Sequence, residues 1–226
     1  MSIGFRVCSR PQKVPADVIA AFRELPVANA SDSMGRMFAG GASLRPIHQH
    51  CVAVAGSALT VRTRPGDNLM VHHAVDMAEP GDVIVVDAGG DLTTAVLGDI
   101  MISLAMQRGV EAIVINGAIR DADEIRKMGF PLYAAGVTHR GPYKDGPGEI
   151  NTAINLGGMI VMPGDLVLGD GDGILVIPQG DAQTVLDATR KKHAAEAAEL
   201  AAIADGKSDR RWVLETLKTK GCEFLV

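Results

Sequence analysis

At 226 residues the chain is long enough for one domain with a proper core, and 47% hydrophobic with 22% charged residues is ordinary globular composition. A formal charge of −5 without any basic block excludes the electrostatic footprint of a non-specific nucleic-acid binder. No apolar run reaches the roughly 18 residues of a membrane-spanning helix, and MSIGFRVCSR at the start is too polar for a secretory signal. We therefore expect a cytoplasmic protein whose partners are neither nucleic acid nor membrane. Aromatics make up only 4%, so the core must be built from Val, Ile, Leu, Ala and Met. Cys8, Cys51 and Cys222 are an odd set without C-x-x-C spacing, and read as isolated thiols rather than a disulfide framework or zinc site.

In chain order, Pro15 to Leu25 carries a helical pattern with Val18, Ile19, Phe22 and Leu25 on one side. Pro26 ends it, and Ser31 or Asp32 is expected to cap a short helix. Gly40 to His50 reads as loop, and its His48-x-His50 pair lacks a third ligand nearby, which favours solvent-exposed histidines. Val52 to Arg62 is a long strand in which Gly56 is expected to mark a bulge. The triplet PGD at Pro65 to Asp67 turns the chain into a helix, Asn68 to Met77, whose adjacent His72 and His73 point to different sides and read as packing histidines. PGD recurs at Pro80 to Asp82 and at Pro163 to Asp165, again as turns ahead of strands.

The stretch Asp87 to Glu124, DAGGDLTTAVLGDIMISLAMQRGVEAIVINGAIRDADE, holds the candidate chemistry. Val83 to Val86 is strand-like, Ile100 to Arg108 is helical, and Ala112 to Ile115 is strand-like again. Parallel strands joined by a helix leave their carboxyl ends on one edge, so Gly98-Asp99 and Arg120-Asp121 are expected at one rim. Asp121 and Glu124 would share a face of a helix that begins near Ala122. Asp99, Asp121 and Glu124 supply hard oxygen ligands of the kind that Mg²⁺ or Mn²⁺ takes while keeping waters. Arg120 suits a carboxylate or enolate oxygen, and backbone N–H groups of Gly98, Asp99, Ile100 and Met101 at a helix start can receive an anion.

Farther on, Met128-Gly129 closes that helix, and Pro131 to Ala134 is a short strand. Thr138 to Asn151 reads as a polar, glycine-rich surface loop, in which Arg140 and Lys144 read first as solvated loop residues and second as candidates for a substrate's distal carboxylate. GDGDG at Gly169 to Gly173 lacks the spaced ligands of a calcium loop and reads as a hairpin turn. Asp181 to Ala204 is a long alanine-rich helix ended by Gly206, and Ser208 to Leu217 a final helix with Trp212, Leu214 and Leu217. Together these give an α/β sandwich of mixed sheets, one domain over residues 1–226 with 180–226 as a helical C-terminal extension.

Asp99, twenty residues, Arg120-Asp121, two residues and Glu124 reproduce the D-x20-R-D-x2-E/D pattern of the metal-dependent class II pyruvate aldolases. The chain resembles the 4-hydroxy-4-methyl-2-oxoglutarate / 4-carboxy-4-hydroxy-2-oxoadipate aldolases, which share a fold with the regulator of ribonuclease E activity. The resemblance extends through GPGEIN at Gly146 to Asn151 and PGDLVLGDGDGILVIP at Pro163 to Pro178. It implies the swivelling β/β/α-type (RraA-like) fold, a homotrimer or homohexamer, and cleavage of a 4-hydroxy-2-oxo acid to pyruvate, with oxaloacetate decarboxylation as a side activity. By the same likeness Asp121 is the metal residue, with Mg²⁺ ahead of Mn²⁺, and Arg120, Asp99 and Glu124 are catalytic. Gly98, Asp99, Ile100, Met101 and Arg120 would bind the oxo-acid substrate. The family also takes an acidic residue from a neighbouring subunit's C-terminal helix, here Glu196 or Glu199, and a segment like that around Asp32 packs near the rim. The rival reading is a protein-binding regulator of a ribonuclease without catalysis, which has no need for a metal-ready constellation.

Overall fold

The computed structural model describes residues 3–38, 42–49 and 52–225. Strand β1 (Phe5–Val7) is followed by helices α1 (Ala16–Phe22) and α2 (Val27–Ser33), each entered through an extended proline, Pro15 and Pro26. Because Pro26 starts α2, Ser31 and Asp32 lie in its last turns rather than at its cap. Then come β2 (Arg45–Pro46), β3 (Val54–Thr63), α3 (Leu69–Met77), β4 (Asp82–Asp87), β5 (Ala95–Leu97), α4 (Asp99–Gln107), β6 (Ala112–Ile119) and α5 (Ala122–Met128). The remainder is β7 (Leu132–Val137), β8 (Gly148–Ile150), β9 (Ile154–Leu156), β10 (Met159–Val161), β11 (Leu166–Asp170), β12 (Gly173–Ile177), α6 (Ala182–Ala204) and α7 (Arg211–Thr219). No helix among the described residues is long and apolar enough to cross a membrane.

The main sheet runs β1-β8-β3-β4-β6-β7-β2, and the β11–β12 hairpin pairs with the first half of β3. Strands β3, β4, β6 and β7 are parallel neighbours, and β5 continues the edge of β6 at Ala118 and Ile119, beyond the point where β4 ends. Alternate residues of β4 and β6 feed opposite faces, as a period of two requires. Ile84, Val86, Ile113 and Ile115 pack with Val71, Ile102 and Ile125 of α3, α4 and α5. Val83, Val85, Ala112 and Val114 pack on the other side with the β9–β10 hairpin. Both faces are covered, which is why these strands read as unbroken apolar runs. A third cluster joins Val18, Phe22 and Ala30 of α1 and α2 to Ala182, Val185 and Leu186 of α6.

Several local expectations change in the folded chain. Thr138 to Asn151 is not loop throughout: β8 is buried between β1 and β3, and a long polar approach conceals its three residues in the sequence. The segment before α4 contains β5, too short to show a period. His48 is buried rather than exposed, its Nδ1 3.1 Å from the Leu132 backbone and its ring edge-on to Tyr133; burial lowers its pKa. His50 and Cys51 lie outside the described residues, while Cys8 and Cys222 are free thiols. Helix α7 buries none of its residues on its own chain.

Gly56 marks no bulge, since its pairing with Val167 is in regular register. It is glycine because a Cβ there would meet the Gly81 carbonyl oxygen at 2.5 Å and Val83 Cγ2 at 2.9 Å. Gly56→Ala should therefore destabilise the fold by about 1–3 kcal/mol, as overpacking at a rigid contact does, read from the midpoint of a denaturant titration.

Candidate active site

The parallel crossover delivers the two halves of the motif into contact. Gly98 is the extended residue before α4, and Asp121, in a left-handed conformation with φ of 59°, stands before α5. The amide of Arg120 donates to the Leu97 carbonyl at 2.9 Å, fixing the ends of β5 and β6 side by side. A Cβ on Gly98 would run into Asp121 Oδ2 and would lie 3.2 Å from Arg120 Cγ and Nε. Asp121 Oδ2 accepts the Asp99 amide at 3.3 Å and sits 3.4 Å from Arg120 Nε. A left-handed non-glycine residue carries backbone strain of order 1 kcal/mol, and here that strain aims a carboxylate at the helix start.

The amides expected to receive an anion already have acceptors. Asp99 N–H donates to Asp121, Ile100 N–H to Asp99 Oδ1 at 2.7 Å, and Met101 N–H to the Gly98 carbonyl at 3.2 Å. Two of these three acceptors are carboxylate oxygens of the chain, so these amides accommodate carboxylates, and an incoming one would have to take the place of the Asp121 and Asp99 oxygens. Glu124 lies in the first turn of α5, mostly exposed, and pairs with Lys127 at 2.7 Å rather than with Asp121.

Two concavities meet at Asp99 and Arg120. The smaller, about 230 Å³, is walled by Gly98 to Met101 and Arg120, by Asn68 and His72 of the α3 region, and by Gly141, Pro142 and Lys144. The larger, about 580 Å³, brings in Asp121, Asp123, Glu124, Arg126 and His139. Lys144 is thus at the rim and Arg140 is not among the lining residues. Asn68 and His72 are the residues that sequence reasoning passed over. Their i, i+4 spacing at a helix start directly after PGD places both on the cavity wall, a signal present in the sequence but shared with ordinary packing positions. Asn68 donates to Val96 O and approaches Met101 Sδ, and its buried Oδ1 has no partner among the described residues. Burial first, and Lys144 second, lower the His72 pKa, so the ring is neutral at pH 7.

Asp32 and Glu196 come together elsewhere, both 3.0–3.1 Å from Lys192, with Asn29 donating to Glu196 at 2.8 Å. Those contacts lower both carboxyl pKa values, led by Lys192 for Asp32 and Asn29 for Glu196. Neither residue lines the two concavities within the same chain, and Glu199 is exposed farther along α6.

Among the described residues no three His, Cys, Asp or Glu side chains converge to hold a metal directly. Asp121 offers one partly exposed carboxylate beside open cavity space. That donor set does not suit a caged ion, and it does suit magnesium, which binds through one or two carboxylates and keeps several waters.

Residues 27–176 match the family described as RraA-like, Aldolase/RraA. The chain belongs to the Aldolase/RraA family. Within it, a protein of Halalkalibacterium halodurans provisionally named 4-hydroxy-4-methyl-2-oxoglutarate aldolase is 39% identical over 201 residues, 89% of this chain and 95% of that one. A Thermus thermophilus protein named 4-hydroxy-4-methyl-2-oxoglutarate aldolase is 36% identical over 125 residues, 55% of this chain and 76% of that one. The solved structure of the RNA-processing inhibitor RraA from Thermus thermophilus gives a TM-score of 0.62 at 30% identity, covering 68% of this chain and 92% of that one. The RraA-like fold, with mixed sheets and a helical C-terminal segment, is therefore the one expected from sequence.

Lys144→Ala removes the second cause of the His72 shift and leaves the first. Its titration midpoint, followed by NMR, should rise yet stay below the ordinary imidazole value of about 6.5. An unchanged midpoint would mean that Lys144 does not face the ring.

Proposed function

We propose that the chain is a metal-dependent class II pyruvate aldolase that cleaves 4-hydroxy-4-methyl-2-oxoglutarate or 4-carboxy-4-hydroxy-2-oxoadipate to pyruvate and a second oxo acid. The observation that carries this reading is the contact of Gly98 and Asp99 with Arg120 and Asp121, which gathers an arginine, two carboxylates and a helix start around one cavity. The aldolase names of the two relatives support it.

In this reading Asp121 would hold a divalent cation, Mg²⁺ or else Mn²⁺, with the carboxylates of Asp99 and Glu124 lining the same cavity. When bound, that ion supplies a Lewis acid for the 2-oxo group and a template for the pyruvyl end. The backbone amides of Asp99 and Ile100 would orient the pyruvyl carboxylate once it takes the place of the Asp121 and Asp99 oxygens they hold in this structure, with Met101 closing the same helix start. Loss of the proton from the 4-hydroxyl to Asp99, directly or through a water, turns C4–OH into a carbonyl. The C3–C4 bond breaks, and its electron pair passes into the C2 oxygen of the pyruvate enolate. Arg120 faces that developing negative charge, a role worth about 10²–10³ in rate. Protonation at C3 then gives pyruvate. Lys144, across the small cavity, is placed to meet the distal carboxylate. The same enolate chemistry would decarboxylate oxaloacetate.

A homotrimer or homohexamer in the cytoplasm fits this reading. Helix α4 starts at the site and shows Ile100 and Leu104, one turn apart, to solvent, with Ile100 69% exposed, an apolar flank that a second copy would cover. Glu196 or Glu199 would reach a site only across such an interface. A non-catalytic ribonuclease regulator is the second reading, favoured by likeness to the Thermus RraA structure, but it gives no reason for the packed Gly98–Asp121 contact.

Pyruvate release from both 4-hydroxy-2-oxo acids, and oxaloacetate decarboxylation, should appear with Mg²⁺ and vanish with EDTA. Arg120→Ala should lower kcat by about 10²–10³, and Asp121→Ala should abolish the response to added metal. Absence of pyruvate from all three with folded, metal-supplied protein would reject the assignment and bring the regulator reading forward.

A further inference from the structure

The carboxylate of Asp67 is completely buried and belongs to none of the motif positions. Its Oδ1 accepts the Leu69 amide at 3.0 Å, at the first turn of α3. Its Oδ2 accepts the amides of Asp145 at 2.8 Å and Gly146 at 2.9 Å, seventy-eight and seventy-nine residues away in the chain. Arg64 Nη2 lies 3.1 Å from the same oxygen and supplies the compensating cation. Backbone bonds run beside this tie: Tyr143 N–H donates to the Gly66 carbonyl at 2.8 Å, and Asn68 N–H to the Tyr143 carbonyl at 3.0 Å.

The two segments so joined are two walls of the small cavity. One carries Asn68 and His72, the other Gly141, Pro142 and Lys144. Segment 138–147 also passes close to the arginine, since a Cβ on Gly141 would sit 2.9 Å from Arg120 Nη1. An exposed loop bearing a lysine would ordinarily wander, and a lysine that wanders binds a carboxylate weakly because its ordering costs entropy.

We propose that Asp67 is a positioning residue, which ties segment 138–147 to the start of α3 and so presents Lys144 to the substrate's distal carboxylate opposite Arg120. The claim rests on the aldolase reading for its substrate and on this geometry for its mechanics. Three amide donors and a guanidinium leave a buried carboxylate no equivalent replacement. In Asp67→Asn, one amide orientation sets an NH₂ group against the two loop amides, and the other sets it against Leu69 N–H, so the side chain can hold only one of the two walls. Burial alone would push the Asp67 carboxyl up, but the amides and Arg64 outweigh it and keep it below the usual carboxylate range. Its folded pKa is thus depressed, and the stability the tie contributes is fully present above the ordinary carboxylate pKa and is lost as pH falls through the lower folded value.

The test compares wild type, Asp67→Asn, Lys144→Ala and the double variant. Hydrogen exchange at the Asp145 and Gly146 amides should quicken by about tenfold or more in Asp67→Asn, with the central strands β4 and β6 unchanged. For 4-carboxy-4-hydroxy-2-oxoadipate, KM should rise about tenfold with a smaller change in kcat. In the Lys144→Ala background, Asp67→Asn should add less than about twofold, because the group it positions is already gone. Unchanged exchange at the two amides, or a kinetic effect that multiplies in full in the double variant, overturns the proposal. Should Asp67→Asn not fold, Arg64→Gln takes its place in every arm, with a smaller shift in the same direction expected. If wild type releases no pyruvate, the aldolase reading is what has failed, and the exchange arm, which needs no substrate, still decides whether Asp67 holds the loop.

Discussion

The approach of Asp121 to the backbone at Gly98 is the constraint on which the candidate site depends. It demands two parallel strand ends at equal height, a residue without Cβ before α4, and a left-handed turn before α5. Each is set by something deeper in the molecule. Equal height follows from the in-register pairing of β4 with β6 and from β5 continuing the β6 edge as far as Leu97. That pairing is held because every residue of β4 and β6 from Val83 to Val86 and from Ala112 to Ile115 is buried on one face or the other. A slip by one residue would exchange the two apolar sets between faces with different partners.

Buried aspartates do related work around the sheet. Asp67, Asp82 and Asp165 all end a Pro-Gly-Asp triplet, and all three are almost entirely inaccessible. Asp82 accepts the Glu79 amide at 2.8 Å and receives Lys13 and Arg10, while Asp165 accepts the amides of Met162 and Gln179. In each case glycine takes the positive φ of the turn, and the following carboxylate closes it by satisfying backbone donors that would otherwise be buried without partners. Asp67 differs because two of its backbone donors, Asp145 and Gly146, lie in a distant segment, so the same local device also becomes a backbone-to-backbone tie across the chain.

Kinship to both aldolases and a regulator of RNA processing means that the fold alone does not select a function. The discriminating features are local. An αL aspartate pressed against a helix start and an arginine between two concavities give the proposed lyase chemistry a place to act, and the regulator reading does not call on them. The cluster of Asp32, Lys192 and Glu196 is a separate matter: it fastens α6 to α2 within one chain and stands apart from the Arg120 rim.

Much of this was legible in the residues themselves. Strongly apolar runs at Val83 to Val86 and Ala112 to Ile115, the crossover between them, and Asp99 with Arg120, Asp121 and Glu124 are patterns of local spacing, and local spacing survives into the fold. The helix starting at Ala122, the hairpin around Gly171-Asp172 and the long α6 ending before Gly206 follow for the same reason. Only the tertiary structure decided the rest. It buried His48 and β8, because burial depends on what packs above a segment. It turned Gly56 from an expected bulge into a close approach to Gly81, paired Glu124 with Lys127, and put Asn68 and His72 on the cavity wall. Side chains from α3, α4, α5 and the 138–147 segment meet around Arg120 through contacts that span tens of residues. Sequence periodicity specifies the face a residue occupies on its own element, whereas the residues opposite it are fixed only when the elements pack.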